Sequence, residues 1–253
     1  MDIILVVLIG GLLGSFANVC IYRLPIDKNV VVGRSFCPKC KNKIFWFDNI
    51  PIISFIILKA KCRHCNFNIP NNYLIVECLS VLFFFLIYIL FGKSMTALLF
   101  CVIFLSFIII FFIDLKHLII PNEITFPLMV IGFLKSFYPN LNNIFPNYLN
   151  SLIGGVVGYL IIYLIIFFYK HVRKKEGMGL GDAKLFAVIG FWFGWISIPF
   201  IIFFSSIIAL ISIAPSLINK TKNTSSQIPF GPYIIIATLV FIIFKNNLLN
   251  IVL

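Results

Sequence analysis

Only eight of the 253 residues are acidic and only three are histidine. Charged residues of both signs make up 11% of the chain, where a water-soluble chain carries about 25%. That scarcity, with 61% hydrophobic residues and a mean hydropathy of +1.09, excludes a soluble globular domain. The few histidines and acids also exclude several hydrolytic chemistries. No His-Glu-x-x-His is present, so a zinc protease of that type is out. No Gly-x-Ser-x-Gly is present, and His64, His117 and His171 have no evident serine partner. No internal repeat or low-complexity tract stands out.

What fills the chain instead is a series of apolar runs of about 20 residues, the length that crosses a hydrocarbon core. Eight spans are expected, at 3–20, 73–91, 95–113, 123–138, 151–169, 183–197, 198–217 and 230–250. The fold class is therefore an all-α polytopic membrane protein with a small polar domain between its first two helices. The opening "MDIILVVLIGGLLGSFANVC" has no basic leader or clear cleavage site, and reads as a retained first span. The span at 183–197 is short and interrupted by Gly190 and Gly194.

The basic residues orient these spans. Segments 22–72, 114–122, 170–184 and 218–229 alternate with the others, so they share one side of the membrane. They hold nine, one, five and two Lys and Arg, 17 of the 20 in the chain. Only Lys93, Lys135 and Lys245 fall on the other side. The positive-inside rule makes the 17-residue side cytoplasmic and both termini external. The net charge of +12 then reflects orientation, and nucleic acid is not an expected partner.

Residues 22–72 form the one sizeable extramembrane piece. "CPKC" supplies Cys37 and Cys40, and "CRHC" supplies Cys62 and Cys65, with 21 residues between the pairs. Two such knuckles place four thiolates around one zinc ion. The alternatives are two disulfides or four free thiols, and a reducing cytoplasm disfavours the disulfides. With all four positions filled by protein, this zinc is structural, a staple for some 50 residues with little core of their own. Lys39, Lys41, Lys61 and Arg63 flank the thiolates. His64 is an alternative ligand, and Cys20, Cys78 and Cys101 read as packing residues.

Four acids lie at the cytoplasmic border of the membrane: Glu77, Asp114, Glu123 and Asp182. Asp114 ends the run "FLSFIIIFFIDLKHLIIP", where the helix dipole is unfavourable to negative charge, and an acid so placed is a functional candidate. Asp182 follows spaced glycines in "GMGLGDAKL" and has an alternative reading as a helix N-cap. Two crossings separate the two aspartates, so both return to the same border. Two close carboxylates do not readily ionise together, and such a pair can activate water for attack on a peptide carbonyl. Glycines 177, 179 and 181 would let the backbone take conformations closed to other residues and admit an extended substrate.

These residues resemble a known family. "GMGLGDAKL" is similar to the Gly-x-Gly-Asp signature of intramembrane aspartyl proteases. "GSFANVCIYRLP", "SFCPKCK", "NIPIISF", "CRHC", "IVE", "DLKHLIIPNEIT" and "IPFGPY" complete, in order, the pattern of the type IV prepilin peptidases (prepilin leader peptidase/N-methyltransferase). The resemblance implies cleavage of prepilin or pseudopilin leaders after a glycine at the cytoplasmic face of the inner membrane. It implies Asp114 and Asp182 as the catalytic pair and Cys37, Cys40, Cys62 and Cys65 as zinc ligands. It also implies methylation of the new N-terminus by S-adenosylmethionine, for which no glycine-rich nucleotide loop marks a site. It divides the chain into a first helix (1–21), a zinc-binding, methyltransferase-associated domain (22–72) and a transmembrane peptidase domain (73–253). Glu77 matches a family glutamate, while Asn72 and Asn122 stand where the family usually has Arg and Asp. The rival readings are a peptidase without methyl transfer, a transporter with mid-span acids, and a scaffold without chemistry.

The charge asymmetry generates a topology test. Reporter fusions or cysteine accessibility should place positions within 22–72 and 170–182 on one side and 139–150 on the other. A signal from position 175 on the same side as 139–150 would overturn the alternation.

Overall fold

The computed structural model describes residues 2–141, 143–174, 179–218 and 228–252 (side chains excepted at 173, 216–218 and 245–252). Among the described residues nine α-helices form: α1 Asp2–Arg23, α2 Ile53–Ile57, α3 Asn72–Phe91, α4 Met95–His117, α5 Asn122–Leu134, α6 Tyr148–Arg173, α7 Leu180–Phe193, α8 Ser197–Ile218 and α9 Gly231–Val252. Among the described residues no strand forms, only two isolated bridges, Phe36 with Lys43 and Lys61 with Asn68. The all-α expectation holds. In hydrocarbon the helix is the element that satisfies every backbone polar group within one segment, and long apolar runs take that form.

Among the described residues five helices are long and apolar enough to cross a membrane: Asp2–Ile26, Asn72–Phe91, Met95–His117, Tyr148–Val172 and Ser197–Pro215. Two of the other three expected spans correspond to shorter helices: α5 has 13 residues before a 3-10 turn at Lys135–Phe137, and α7 has 14. The third expected span, 230–250, is met by α9, which runs 22 residues. The chain divides into two compact units, Met1–Phe112 and Ile113–Leu253.

In the first unit, α1 and α3 run antiparallel at close range. A Cβ on Gly10 would stand 3.0 Å from Phe84 Cβ, and one on Gly14 would stand 2.9 Å from Ser80 Cβ. Two glycines four apart on one face let the helix backbones approach where lipid gives no hydrophobic drive to pack. Asn18 Nδ2 donates to Tyr73 O at 3.0 Å, tying the two polar ends together. Arg23, buried at the end of α1, donates to the carbonyls of Asn29, Val32, Gly33 and Arg34 and so orders the loop that follows.

In the second unit the centre is α7, with nearly every residue from Asp182 to Phe193 buried. At about 21 Å it is too short for a 30 Å hydrocarbon core, but a helix enclosed by protein need not match the lipid. Gly190 does not interrupt it. A Cβ on Gly154 of α6 would stand 2.5 Å from Gly190 O, so the two glycines let α6 and α7 touch backbone to backbone. Helix α7 ends instead at Gly194 (φ 83°), whose N–H donates to Gly190 O at 2.8 Å. The last carbonyls of a helix lack intrahelical donors. Here Ser151 Oγ donates to Phe191 O at 2.7 Å and the buried Lys135 Nζ donates to Trp192 O at 3.2 Å. Trp192 Nε1 donates to Leu128 O at 2.8 Å, binding α5 to the same helix.

Candidate active site and metal cluster

Asp114 lies in the last turn of α4, and Asp182 in the first turn of α7. Both are buried, at 4% and 7% exposure. The chain leaves α4 at His117 through Leu118, which takes a positive φ of 56°, and re-enters helix after Pro121. Ile120 on that turn meets Gly181, where a Cβ would stand 3.0 Å from Ile120 Cβ. Lys184 Nζ donates to Asn122 Oδ1 at 2.6 Å, joining the same two segments. The start of α7 is thereby held beside the end of α4, which brings Asp182 toward Asp114.

Backbone donors make this burial tolerable. Gly231 N–H, at the start of α9, donates to Asp114 Oδ2 at 2.9 Å. Gly179 N–H donates to Asp182 Oδ2 at 3.1 Å. Each carboxylate thus sits at the positive end of a helix, α9 for Asp114 and α7 for Asp182. The unfavourable dipole of α4 at Asp114 is opposed by the favourable one of α9. Among the described residues neither carboxylate forms an ion pair; the ion pairs are Arg63 with Asp48 and Lys93 with Asp2.

The N-cap reading of Asp182 is corrected in position. Gly179 is the N-cap, and Asp182 stands three residues on, reaching back to its N–H. Capping and pairing therefore coexist in one side chain. The expected role of the glycines also changes. Neither Gly179 nor Gly181 has a positive φ, and Gly177 lies outside the described residues. Gly181 is small because Ile120 packs on it. Gly179 is extended (φ −83°, ψ 148°), and the nearest atom its Cβ would meet is Asp182 Oδ2 at 3.7 Å.

Of the other acids, Glu123 is exposed in the first turn of α5, and Glu77 belongs to the first unit. Glu176 lies outside the described residues. Sequence reasoning missed Gly231. A Cβ there would stand 2.8 Å from Asp114 Oδ2, so the residue beside this carboxylate has no room for a side chain. The available signal was the Gly-Pro pair in "IPFGPY" opening the last helix, since a helix start offers unpaired N–H groups.

The four expected metal ligands converge in the first unit. The Sγ atoms of Cys37, Cys40, Cys62 and Cys65 all lie within 4.8 Å of one another, with Cys37 to Cys65 at 3.7 Å and Cys40 to Cys62 at 4.0 Å. Tetrahedral zinc with Zn–S bonds of about 2.3 Å requires S···S separations of about 3.8 Å, so the cluster fits that ion. The two knuckles are built alike. Cys37 N–H donates to Asn42 O and Lys41 N–H to Cys37 O; Cys62 N–H donates to Phe67 O and Asn66 N–H to Cys62 O. Lys41 and Asn66, each four residues past the first cysteine of its pair, both take positive φ, at 58° and 52°. His64 lies against the Phe45 ring and is not among the converging groups. Arg63 makes two hydrogen bonds to Asp48, which hold that carboxyl below the usual carboxylate range. The same guanidinium covers the Phe47 ring.

Comparison with known proteins now decides the family. The bacterial peptidase A24 N-terminal domain matches residues 8–91, and the type IV leader peptidase family matches residues 101–214. A Vibrio cholerae protein named prepilin leader peptidase/N-methyltransferase is 36% identical over 93% of this chain and 94% of its own length. The chain belongs to the type IV leader peptidase family. Proteins of the same name from Aeromonas salmonicida (30% identical, 96% of this chain and 91% of that one) and Pseudomonas aeruginosa (31%, 91% and 86%) match along most of their length. No solved structure matches the chain. Family and apolar helices together make this an integral membrane peptidase.

The cluster geometry generates a metal test. Purified protein should carry about one zinc per chain by elemental analysis, as a single tetrathiolate site holds. Cys62→Ser should lower that content and expose residues 35–68 to protease before the membrane helices lose their fold. Finding no metal, with all four thiols titrating freely, would sink the assignment.

Proposed function

We propose that this chain cleaves the leader peptides of type IV prepilins or pseudopilins, with Asp114 and Asp182 as the catalytic dyad. The observation that supports it is the convergence of these two buried carboxylates, 68 residues apart in sequence, at the starts of two helices. Relatives along nearly the whole chain are named prepilin leader peptidase/N-methyltransferase, which supports the substrate class. In this reading one carboxylate takes a proton from a water as its oxygen attacks the scissile carbonyl carbon. The other gives a proton to the departing amide nitrogen, so the pair returns to its starting proton count. Gly231 N–H and Gly179 N–H hold one oxygen of each carboxylate, leaving the others to face water and substrate. Gly179, extended and without a side chain, gives an extended substrate room to lie beside Asp182.

The membrane side follows from charge. The 17-to-3 division of basic residues supports a cytoplasmic position for residues 22–72 and for the dyad, external termini, and residence in the inner membrane. Membrane lipid is then a constant partner, and the basic excess serves orientation rather than nucleic acid. Zinc held by Cys37, Cys40, Cys62 and Cys65 would fix the fold of its segment and take no part in cleavage, since its four positions are filled.

Methyl transfer to the new N-terminus is a second activity that the relatives' name supports, with S-adenosylmethionine as donor. The described residues form no glycine-rich loop for that donor, and no residue of this chain is assigned to hold it. The alternative of a peptidase alone is distinguished by supplying pre-cleaved pilin and following methyl incorporation.

Two tests follow from the dyad geometry. Asn keeps the shape of Asp but cannot shuttle its proton. Asp114→Asn and Asp182→Asn should each reduce leader cleavage about 10³-fold, with the double variant scarcely worse. Glu123→Gln should cleave normally, and pre-cleaved pilin should still be methylated by the Asn variants if the second activity exists. Normal cleavage by Asp182→Asn would leave that residue as a helix cap only. Separately, Gly231→Ala should reduce cleavage about tenfold or more with the protein still inserted, because the new methyl displaces a carboxylate whose placement governs catalysis. An unchanged rate in that variant would show that Gly231 does not position Asp114.

A further inference from the structure

Residues 50–58, "IPIISFIIL", lie within the segment that composition assigns to the polar side of the membrane. Their contacts point elsewhere. Pro51 Cβ stands 3.3 Å from where a Cβ on Gly11 would be, and Val81 Cγ2 stands 3.7 Å from the same point. The end of this helix pair is marked by the ion pair between Asp2 and Lys93 at 2.9 Å. Gly11 is nine residues from Asp2, about 14 Å along α1, and Val81 is ten residues from Phe91, about 15 Å along α3. A hydrocarbon core is about 30 Å thick, so both helices place Pro51 near its middle.

Most of the segment's backbone donors have partners within it or on its neighbours. Ser54 N–H and Ser54 Oγ donate to Ile50 O, at 3.1 and 2.7 Å, and Pro51 has no N–H to lose. Ile53 N–H donates to Pro51 O, Ile56 N–H to Ile52 O and Leu58 N–H to Ser54 O. Ile52 N–H finds its acceptor outside the turn, where Ile52 takes φ 64°, ψ −51°, a tight-turn conformation unusual for a β-branched residue. It donates to Glu77 Oε2 on α3 at 2.7 Å. Ser15 and Asn18 of α1 also lie beside the Glu77 carboxylate, so this buried acid of α3 is engaged by α1 and by the turn. Non-helical backbone at membrane depth is tolerated only with such partners.

The outward face of the segment is apolar. Ile53, Ile56 and Ile57 are exposed, the last two at 64% and 69%, and they continue the exposed leucines and isoleucines of α1 and α3. We propose that residues 50–58 form a re-entrant segment that enters the bilayer from the face bearing the cysteine cluster, seats Pro51 against Gly11, and turns Ile53, Ile56 and Ile57 to lipid acyl chains. Glu77 is its anchor, a positioning residue that supplies the acceptor Ile52 lacks. The four-cysteine cluster is thereby pinned to the membrane by its own connecting segment, between the two knuckles.

The test uses the full chain in lipid nanodiscs without substrate. An aliphatic diazirine side chain is placed at position 57, at position 56 in a second variant, and at Val31, an 83% exposed loop residue, as reference. Light converts the diazirine to a carbene that inserts into whatever it faces. Mass spectrometry should find lipid adducts at 57 and 56 in roughly tenfold excess over Val31, where the water product should dominate, as expected for a segment in a medium without water. Water products at 57 and 56 as abundant as at Val31 would overturn the proposal. Adducts to polypeptide in place of lipid would also overturn it, by showing that protein covers this face.

Discussion

A carboxylate kept out of water needs hydrogen-bond donors, and in this chain the donors are backbone N–H groups at helix starts. Gly231 N–H serves Asp114 and Gly179 N–H serves Asp182. Much of the second unit can be understood from that requirement. Helix α9 must begin where α4 ends, and α7 must begin beside both. Gly181 must be small to meet Ile120, and Gly231 must be small to meet Asp114. An aqueous site could have used mobile water for the same purpose and would have tolerated side chains at these positions.

The other end of α7 obeys the same accounting of polar groups. Its final carbonyls receive Ser151 Oγ and Lys135 Nζ, and its C-terminus is closed by Gly194. Lys135 also lies 4.2 Å from the Phe145 ring centroid and 5.4 Å from that of Trp192, a setting that offsets the loss of water around its charge. With both ends fixed and Gly154 against Gly190 between them, α7 is a short rigid strut. Its first turn presents Asp182 from a fixed base, which suits the catalytic role proposed for that residue. The first unit repeats the theme, with Glu77 as acceptor for a strained turn rather than as one of a pair of acids.

Much of this was legible in the sequence. Long apolar runs gave the helices and nearly their ends, because in hydrocarbon the choice of element is almost forced. The Cys-x-x-Cys pairs gave the cluster, because two such pairs at that spacing are the ligand pattern of a single tetrahedral metal site. Asp114 and Asp182 were singled out by scarcity, since an acid at the edge of an apolar run is costly. Family resemblance added the substrate class. The purposes of the glycines were not legible: Gly181 serves packing, Gly190 admits another helix, and Gly194 ends one. Glycine lacks the side chain that would state its partner.

The sequence by itself determined the solvent of this protein, its helical class, its four-cysteine cluster and the two acids worth pairing. These rest on residue type and spacing, which act over a turn or two of chain. Only the tertiary structure decided that Gly231, 117 residues from Asp114, supplies its donor. It alone moved Asp182 from the cap to the third position of its helix, and it alone carried Pro51 to the middle of α1. Each is a long-range contact between groups with no local signature, and such contacts are set by which helix backbones can approach one another.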